Sequence, residues 1–131
     1  MKRENLGVGC FVPSPLAEQY VLTALRSGRL SYGPFIKKFE REFAKAHNSR
    51  FALMVNSGTS ALRMAVACLK EVGKWKDGDE ILVPATTFIA TANVVISNGL
   101  TPVFVDVDAH TYNIDPKQIE KHITKRTRAI I

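Results

Sequence analysis

Asn56-Ser57-Gly58-Thr59-Ser60 is a run of small polar residues set between an apolar stretch, Phe51 to Val55, and an amphipathic one that begins at Ala61. Residues of these types in this order can hold an anion. Ser57 and Thr59 are good helix N-caps, Gly58 admits a tight turn, and the first N–H groups of a helix have no partner inside it. Those donors and the positive end of the helix dipole converge where a phosphate would sit. The same residues can also cap a helix and do nothing more, so the turn alone leaves both readings open. A second small polar turn, Ala85-Thr86-Thr87-Phe88, follows the apolar Ile81 to Val83, and a third, Asp106-Val107-Asp108, follows Val103 to Val105. For Asp106 the structural reading is adopted, since a carboxylate at the end of a buried strand commonly caps the turn that follows.

Other chemistries find little support. Cys10 and Cys68 suggest neither a disulfide framework nor a metal site, and His47, His110 and His122 have no ligand spacing among themselves or with cysteine. Cys68, among Ala65, Val66, Ala67 and Leu69, reads as a small buried thiol. The formal charge of +6 is unevenly spread: Lys and Arg outnumber Asp and Glu by nine to four over residues 1–50 and five to one over 116–131, but are outnumbered four to seven over 51–115. The motif-bearing centre is acidic, and both basic flanks read as amphipathic helices with solvated charged faces and no aromatic residues set among the charges to stack bases, so nucleic acid is not an expected partner. The longest uncharged run contains two prolines and a glycine and does not read as a membrane span. No apolar run follows Met1-Lys2-Arg3-Glu4-Asn5, so no secretory signal is evident and a cytoplasmic location is expected.

The elements that must position the three turns follow from periodicity and punctuation. Ser14-Pro15 starts a helix that Gly28 stops, and Pro34 opens a second, Phe35 to His47, with Phe35, Ile36, Phe39 and Phe43 as its inner stripe. Phe51 to Val55 is apolar without alternation, as in a parallel strand covered on both faces. The helix Ser60 to Val72 carries an almost complete apolar girdle, and Trp75 follows it as a lid over the core or an interface contact. Glu80 to Val83 is a second strand, and Phe88 to Asn98 is an uncharged helix stopped by Gly99. Pro102 to Val105 is a third strand. Asp115-Pro116, with Gln118 as capping-box partner, starts a helix to His122, and Thr127 to Ile131 begins a further strand.

Alternating strands and helices predict an α/β fold with a three-layer, mostly parallel sheet in a chain of 131 residues, long enough for one compact domain. Right-handed crossovers bring the three polar turns to the carboxyl ends of the strands, where ligands bind in such folds. No Gly-x-Gly-x-x-Gly follows the first strand, which argues against a dinucleotide module.

Four linked blocks carry a family resemblance: Asn56 to Leu62, Gly78 to Pro84, Thr87 to Asn93 and Pro102 to Asp108, with Gly33-Pro34 and Phe39-Glu40 upstream. In order and spacing, from about Pro13 to Ile131, the chain resembles the N-terminal portion of the DegT/DnrJ/EryC1/StrS sugar-nucleotide aminotransferases. The resemblance implies part of the large domain of a type I pyridoxal-phosphate-dependent transferase, with N-terminal helices over 14–47 and βα units over 50–131. It implies that Gly58, Thr59 and Ser60 hold the phosphate of pyridoxal 5'-phosphate and that Phe88 stacks on its pyridine ring. It implies a parent that moves an amino group from glutamate to a nucleotide-linked keto sugar, as a homodimer, for cell-surface polysaccharide or amino-sugar synthesis. None of the ten lysines matches the family's Schiff-base position, so no catalytic residue and no metal ligand is expected here. The alternative is a non-catalytic remnant that binds phosphate-bearing ligands or self-associates.

Overall fold

The computed structural model describes residues 12–29 and 31–131. Cys10 and the segment Met1 to Asn5 lie outside them. The chain groups into two compact units, Met1–Met54 and Val55–Ile131.

In the first unit, Ser14 Oγ accepts the Ala17 N–H at 3.2 Å and Pro15 takes the first helical position, which together start α1, Pro15–Arg26. Helix α2, Pro34–Ala46, likewise opens on proline. Its aromatic stripe is not the buried core that its spacing predicts. Phe35, Phe39 and Phe43 stay substantially exposed, and Ala44 alone is buried. Two helices cover only one side of such rings: Tyr20 and Phe35 meet at a tilt with centroids 5.4 Å apart, as do Phe39 and Phe43 at 5.4 Å. Beside them opens an apolar groove of about 550 Å³ lined by Tyr20, Val21, Phe35, Ile36, Phe39 and Met54.

The strand expected over Phe51 to Val55 does not form, and Phe51 is 77% exposed. A strand needs a ladder partner, and these residues have none among the described ones. The Met54 N–H instead donates to Glu40 Oε1 at 2.9 Å, while the Tyr32 hydroxyl donates to Glu40 Oε2 at 2.9 Å.

The second unit is the α/β layer. After α3, Gly58–Gly73, come β1, Glu80–Pro84; α4, Ala90–Ile96; β2, Thr101–Val105; α5, Pro116–Ile119; a 3-10 turn, Glu120–His122; and β3, Thr127–Ile130. The sheet order is β2-β1-β3 and both pairings are parallel, as the alternating pattern requires. The central strand is the most deeply buried, with Ile81, Leu82 and Val83 at 1% exposure or less. Val66 of α3, Val94 and Val95 of α4, and Leu100 pack on Ile81 and Val83, with Leu62, Trp75, Ala129 and Ile131 at the margin. Trp75 therefore lies over the core.

Several boundaries and faces differ from expectation. Within α3 only Val66 is buried, because one face meets α4 and the sheet while the opposite face has no neighbour within this unit; Cys68 is exposed, not buried. The uncharged helix is shorter than predicted and buries Ala90, Thr91, Val94 and Val95 while Ile96 faces outward. Gly99 ends it at φ 72°, a conformation that a Cβ disfavours, and a Cβ there would also meet Asp77 Oδ1 at 2.7 Å. Asp115 caps α5 through the Lys117 N–H at 3.0 Å. Its own N–H, which Gln118 would have to receive in a capping box, goes instead to the Asp106 carbonyl at 2.9 Å.

Candidate functional site

Helix α3 runs into the amino end of β1 through a short turn, and α4 leaves the carboxyl end of β1 through another. Both helices thus run antiparallel to the strands. The N-terminus of α3, the turn holding Phe88, and the turn after β2 consequently lie at one end of the layer, where the strands end.

At that end Ser57 is the N-cap of α3, in extended conformation, and its Oγ accepts the Ser60 N–H at 3.1 Å. Ser60 Oγ in turn donates to Asn56 Oδ1 at 2.7 Å. The Ala61 N–H goes to the Ser57 carbonyl at 3.0 Å. Both donors of Ser60 are thereby engaged within the turn, whereas the N–H groups of Gly58 and Thr59 meet no acceptor among the described residues. Thr59 is exposed, and nothing of the protein lies within 4 Å of where a Cβ would stand on Gly58. Gly58 is the first residue of the helix and is not among the glycines with positive φ, so neither backbone conformation nor packing requires a glycine there. Its absent side chain leaves room for a group approaching the two free donors. A phosphate fits this arrangement by charge, by donor geometry and by space.

Phe88 is 75% exposed in the turn between β1 and α4, so it is not a core residue. Its carbonyl accepts the Thr91 N–H at 2.9 Å, and Thr87 Oγ1 and Thr91 Oγ1 lie 2.9 Å apart, which ties the turn to the first residues of α4. An exposed ring held at the carboxyl edge offers a flat apolar face to a planar ligand. No hydrogen bond joins Phe88 to the α3 turn among the described residues.

The third turn belongs to Asp108 and not to Asp106. Asp108 Oδ1 accepts the N–H groups of His110 at 3.0 Å and Thr111 at 2.9 Å, which hold its carboxyl below the usual range, the Thr111 bond most. Asp106 contributes its backbone carbonyl. No group of three or more His, Cys, Asp or Glu side chains is placed to hold a metal among the described residues.

A second polar cluster, which no sequence motif marks, lies at the opposite end of the sheet. Asp79 and Glu80, 5% and 4% exposed, carry buried carboxylates. Glu80 accepts from Thr124 Oγ1 at 2.6 Å and from Arg126 Nη2 at 2.7 Å, and Arg128 reaches Asp79. The adjacent acids before the apolar run and the basic-Thr-basic run are legible in the sequence, but their pairing across more than 40 residues is not.

Comparison with known proteins matches residues 15–131 to the DegT/DnrJ/EryC1/StrS aminotransferase family. The chain is 44% identical over 113 residues to the spore coat polysaccharide biosynthesis protein SpsC of Bacillus subtilis, covering 86% of this chain and 28% of that protein. It is 39% identical to the dTDP-3-amino-3,6-dideoxy-alpha-D-galactopyranose transaminase of Aneurinibacillus thermoaerophilus, covering 87% and 30%. Among solved structures, GDP-4-keto-6-deoxymannose-3-dehydratase with a trapped PLP-glutamate geminal diamine superposes with a TM-score of 0.83 at 34% identity, covering 96% of this chain and 33% of that one. The chain thus spans about a third or less of the length of these relatives. With the family match running over residues 15–131 and so taking in all three polar turns, this chain belongs to the DegT/DnrJ/EryC1/StrS aminotransferase family.

Proposed function

We propose that this chain forms the phosphate and ring seat of a pyridoxal 5'-phosphate site in a sugar-nucleotide aminotransferase. The observation that carries the reading is Gly58: a glycine at a helix start, where nothing in the chain requires one, beside two N–H groups free to receive an anion. The Gly58 and Thr59 N–H groups and the Thr59 hydroxyl bind the phosphate. Ser60 serves the same seat by closing the turn through Ser57 and Asn56, and Phe88 covers one face of the ring. The cofactor, when bound, supplies the electron-withdrawing ring that transamination requires. The residues of this chain bind it and orient it, and none moves a proton in that chemistry. Lysines 70, 74 and 76 stand on the last turns of α3 and the link into β1, at the far end of the layer.

The parent reaction is transfer of an amino group from glutamate to a keto sugar carried on a nucleotide, in the cytoplasm, for cell-surface polysaccharide or amino-sugar synthesis. The relatives support this class, and they include both a transaminase and a 3-dehydratase. The seat therefore serves either chemistry. Homodimerisation accompanies this function. Its support is the apolar surface left open: no residue of α1 is buried, and Phe51 and Leu53 are exposed. No described helix is long and apolar enough to cross a membrane.

Calorimetric titration of the chain with pyridoxal 5'-phosphate tests the seat. Saturable binding that Thr59→Ala and Phe88→Ala each weaken supports it. Binding unaffected by both, or no binding, refutes a seat formed by these residues and favours the non-catalytic remnant.

A further inference from the structure

Strand β3 does not pair residue for residue with β1. Glu80 lies opposite Thr127, but Ile81 lies opposite Ala129 and Leu82 opposite Ile130, so Arg128 has no partner and forms a bulge. Arg128 is also the residue that forks onto Asp79, with Nε 2.8 Å from Oδ2 and Nη2 3.3 Å from Oδ1. The Asp79 side chain is 7% exposed and that of Arg128 38%. The Lys76 N–H donates to Asp79 Oδ2 at 2.9 Å, so the carboxylate is oriented by its own turn. On the other side of the bulge Thr127 is held opposite Glu80 by the Thr124 and Arg126 contacts, and the Ile131 N–H resumes the ladder on the Leu82 carbonyl at 3.0 Å.

We propose that the Asp79–Arg128 fork selects the register of β3, holding Arg128 out of the ladder and so turning Ala129 and Ile131 toward the core. Opposed residues in a parallel pair share a face, and a slip of one residue exchanges the faces. Continued without a bulge from Thr127, the pairing sets Arg128 opposite Ile81 and Ile130 opposite Val83, on the side where Val66, Val94 and Leu100 pack. That aims a charged guanidinium at an apolar layer, a costly placement for an unpaired charge. It also removes Ala129 and Ile131 from the core margin they now occupy. The apolar residues alone decide poorly between the two registers, because one buries Ile130 and the other Ala129 with Ile131. The fork favours the bulged register, in which the guanidinium meets the carboxylate at the amino end of β1.

The test is the identity of the N–H that bonds to the Leu82 carbonyl, read from couplings across hydrogen bonds by NMR on the whole chain. In the native chain the donor is Ile131. In Asp79→Ala, and in the double variant Asp79→Ala/Arg128→Ala that leaves neither charge uncompensated, the donor shifts wholly or partly to Ile130. Exchange of charges, Asp79→Arg with Arg128→Asp, restores Ile131. Retention of Ile131 as sole donor in the double variant overturns the proposal, as does loss of the fold in that variant, which makes the fork a determinant of stability and not of register.

Discussion

The Lys70 ammonium stands 2.6 Å from the carbonyl oxygen of Asn98, so a side chain near the end of α3 closes the turn beyond the end of α4. It also pairs with Asp77 at 2.5 Å, and the Asn98 side chain returns a 2.7 Å bond to the Val94 carbonyl. The last carbonyls of a helix carry partial negative charge, which an ammonium satisfies. Lys70→Met keeps most of the stem and removes the charge, and urea denaturation should show a loss of about 1–2 kcal/mol. Because Asp77 is exposed, added salt should weaken only the part of that loss due to the ion pair.

At Gly58 stability and binding should part company. Alanine is a better helix former, and nothing within 4 Å opposes its Cβ. Gly58→Ala should raise the unfolding free energy by about 0.5 kcal/mol while weakening pyridoxal 5'-phosphate binding, both measured on one preparation. A variant that is more stable and binds equally well counts against the seat.

Phe88 and Val95 make a contrasting pair on either side of the same turn and helix. Phe88→Ala, at an exposed ring, should leave the unfolding free energy within about 0.5 kcal/mol of native. Val95→Ala, in the fully buried cluster, should cost about 2 kcal/mol through two lost methyls and the cavity they leave.

Gly73 is pinned by Trp75, the only tryptophan, whose indole lies where a Cβ would stand. Gly73→Ala must displace the ring from the core margin, since Gly73 does not have positive φ and the obstacle is steric. Fluorescence should show a red shift of the emission maximum, and a variant with native emission refutes the contact.

Acid should loosen the second unit through Asp79 and Glu80. The Arg128 hydrogen bond, then the Lys76 N–H, lower the Asp79 carboxyl below its ordinary value, and the Thr124 hydroxyl, then Arg126, do the same for Glu80 against the opposing effect of burial. Both carboxyls hold protons less tightly folded than unfolded. Their contribution is therefore complete above the ordinary carboxylate range, about pH 4, and lost as pH falls through the depressed folded values. Glu80→Gln should flatten the acid limb of the stability profile.

Much of the α/β unit is legible in the residues. The strands at Glu80 and Thr101 and the stop at Gly99 follow from short apolar runs punctuated by proline and glycine, which are local properties of the backbone. Ser57 is recognisable as a cap for the same reason. The strand expected over Phe51 to Val55 is not seen, because apolar composition creates a demand for a partner and does not supply one; its Met54 N–H is taken by a glutamate side chain. The Phe stripe of α2 and Cys68 of α3 share that cause, since periodicity marks which face is apolar and tertiary contact decides whether anything covers it.

What the sequence determined by itself is therefore the order of elements from α3 onward and the three polar turns, which depend on interactions within a few residues, together with the strand-helix alternation that calls for a parallel sheet. Only the tertiary structure decided which donors each turn leaves free. Ser60 carries the same hydroxyl and N–H on paper as Thr59, yet Asn56 and Ser57 engage both, while Gly58 and Thr59 at the helix start keep theirs. The register of β3 is settled in the same way, by a carboxylate and a guanidinium 49 residues apart. Such pairings depend on distance in space, which residue spacing along a chain does not encode.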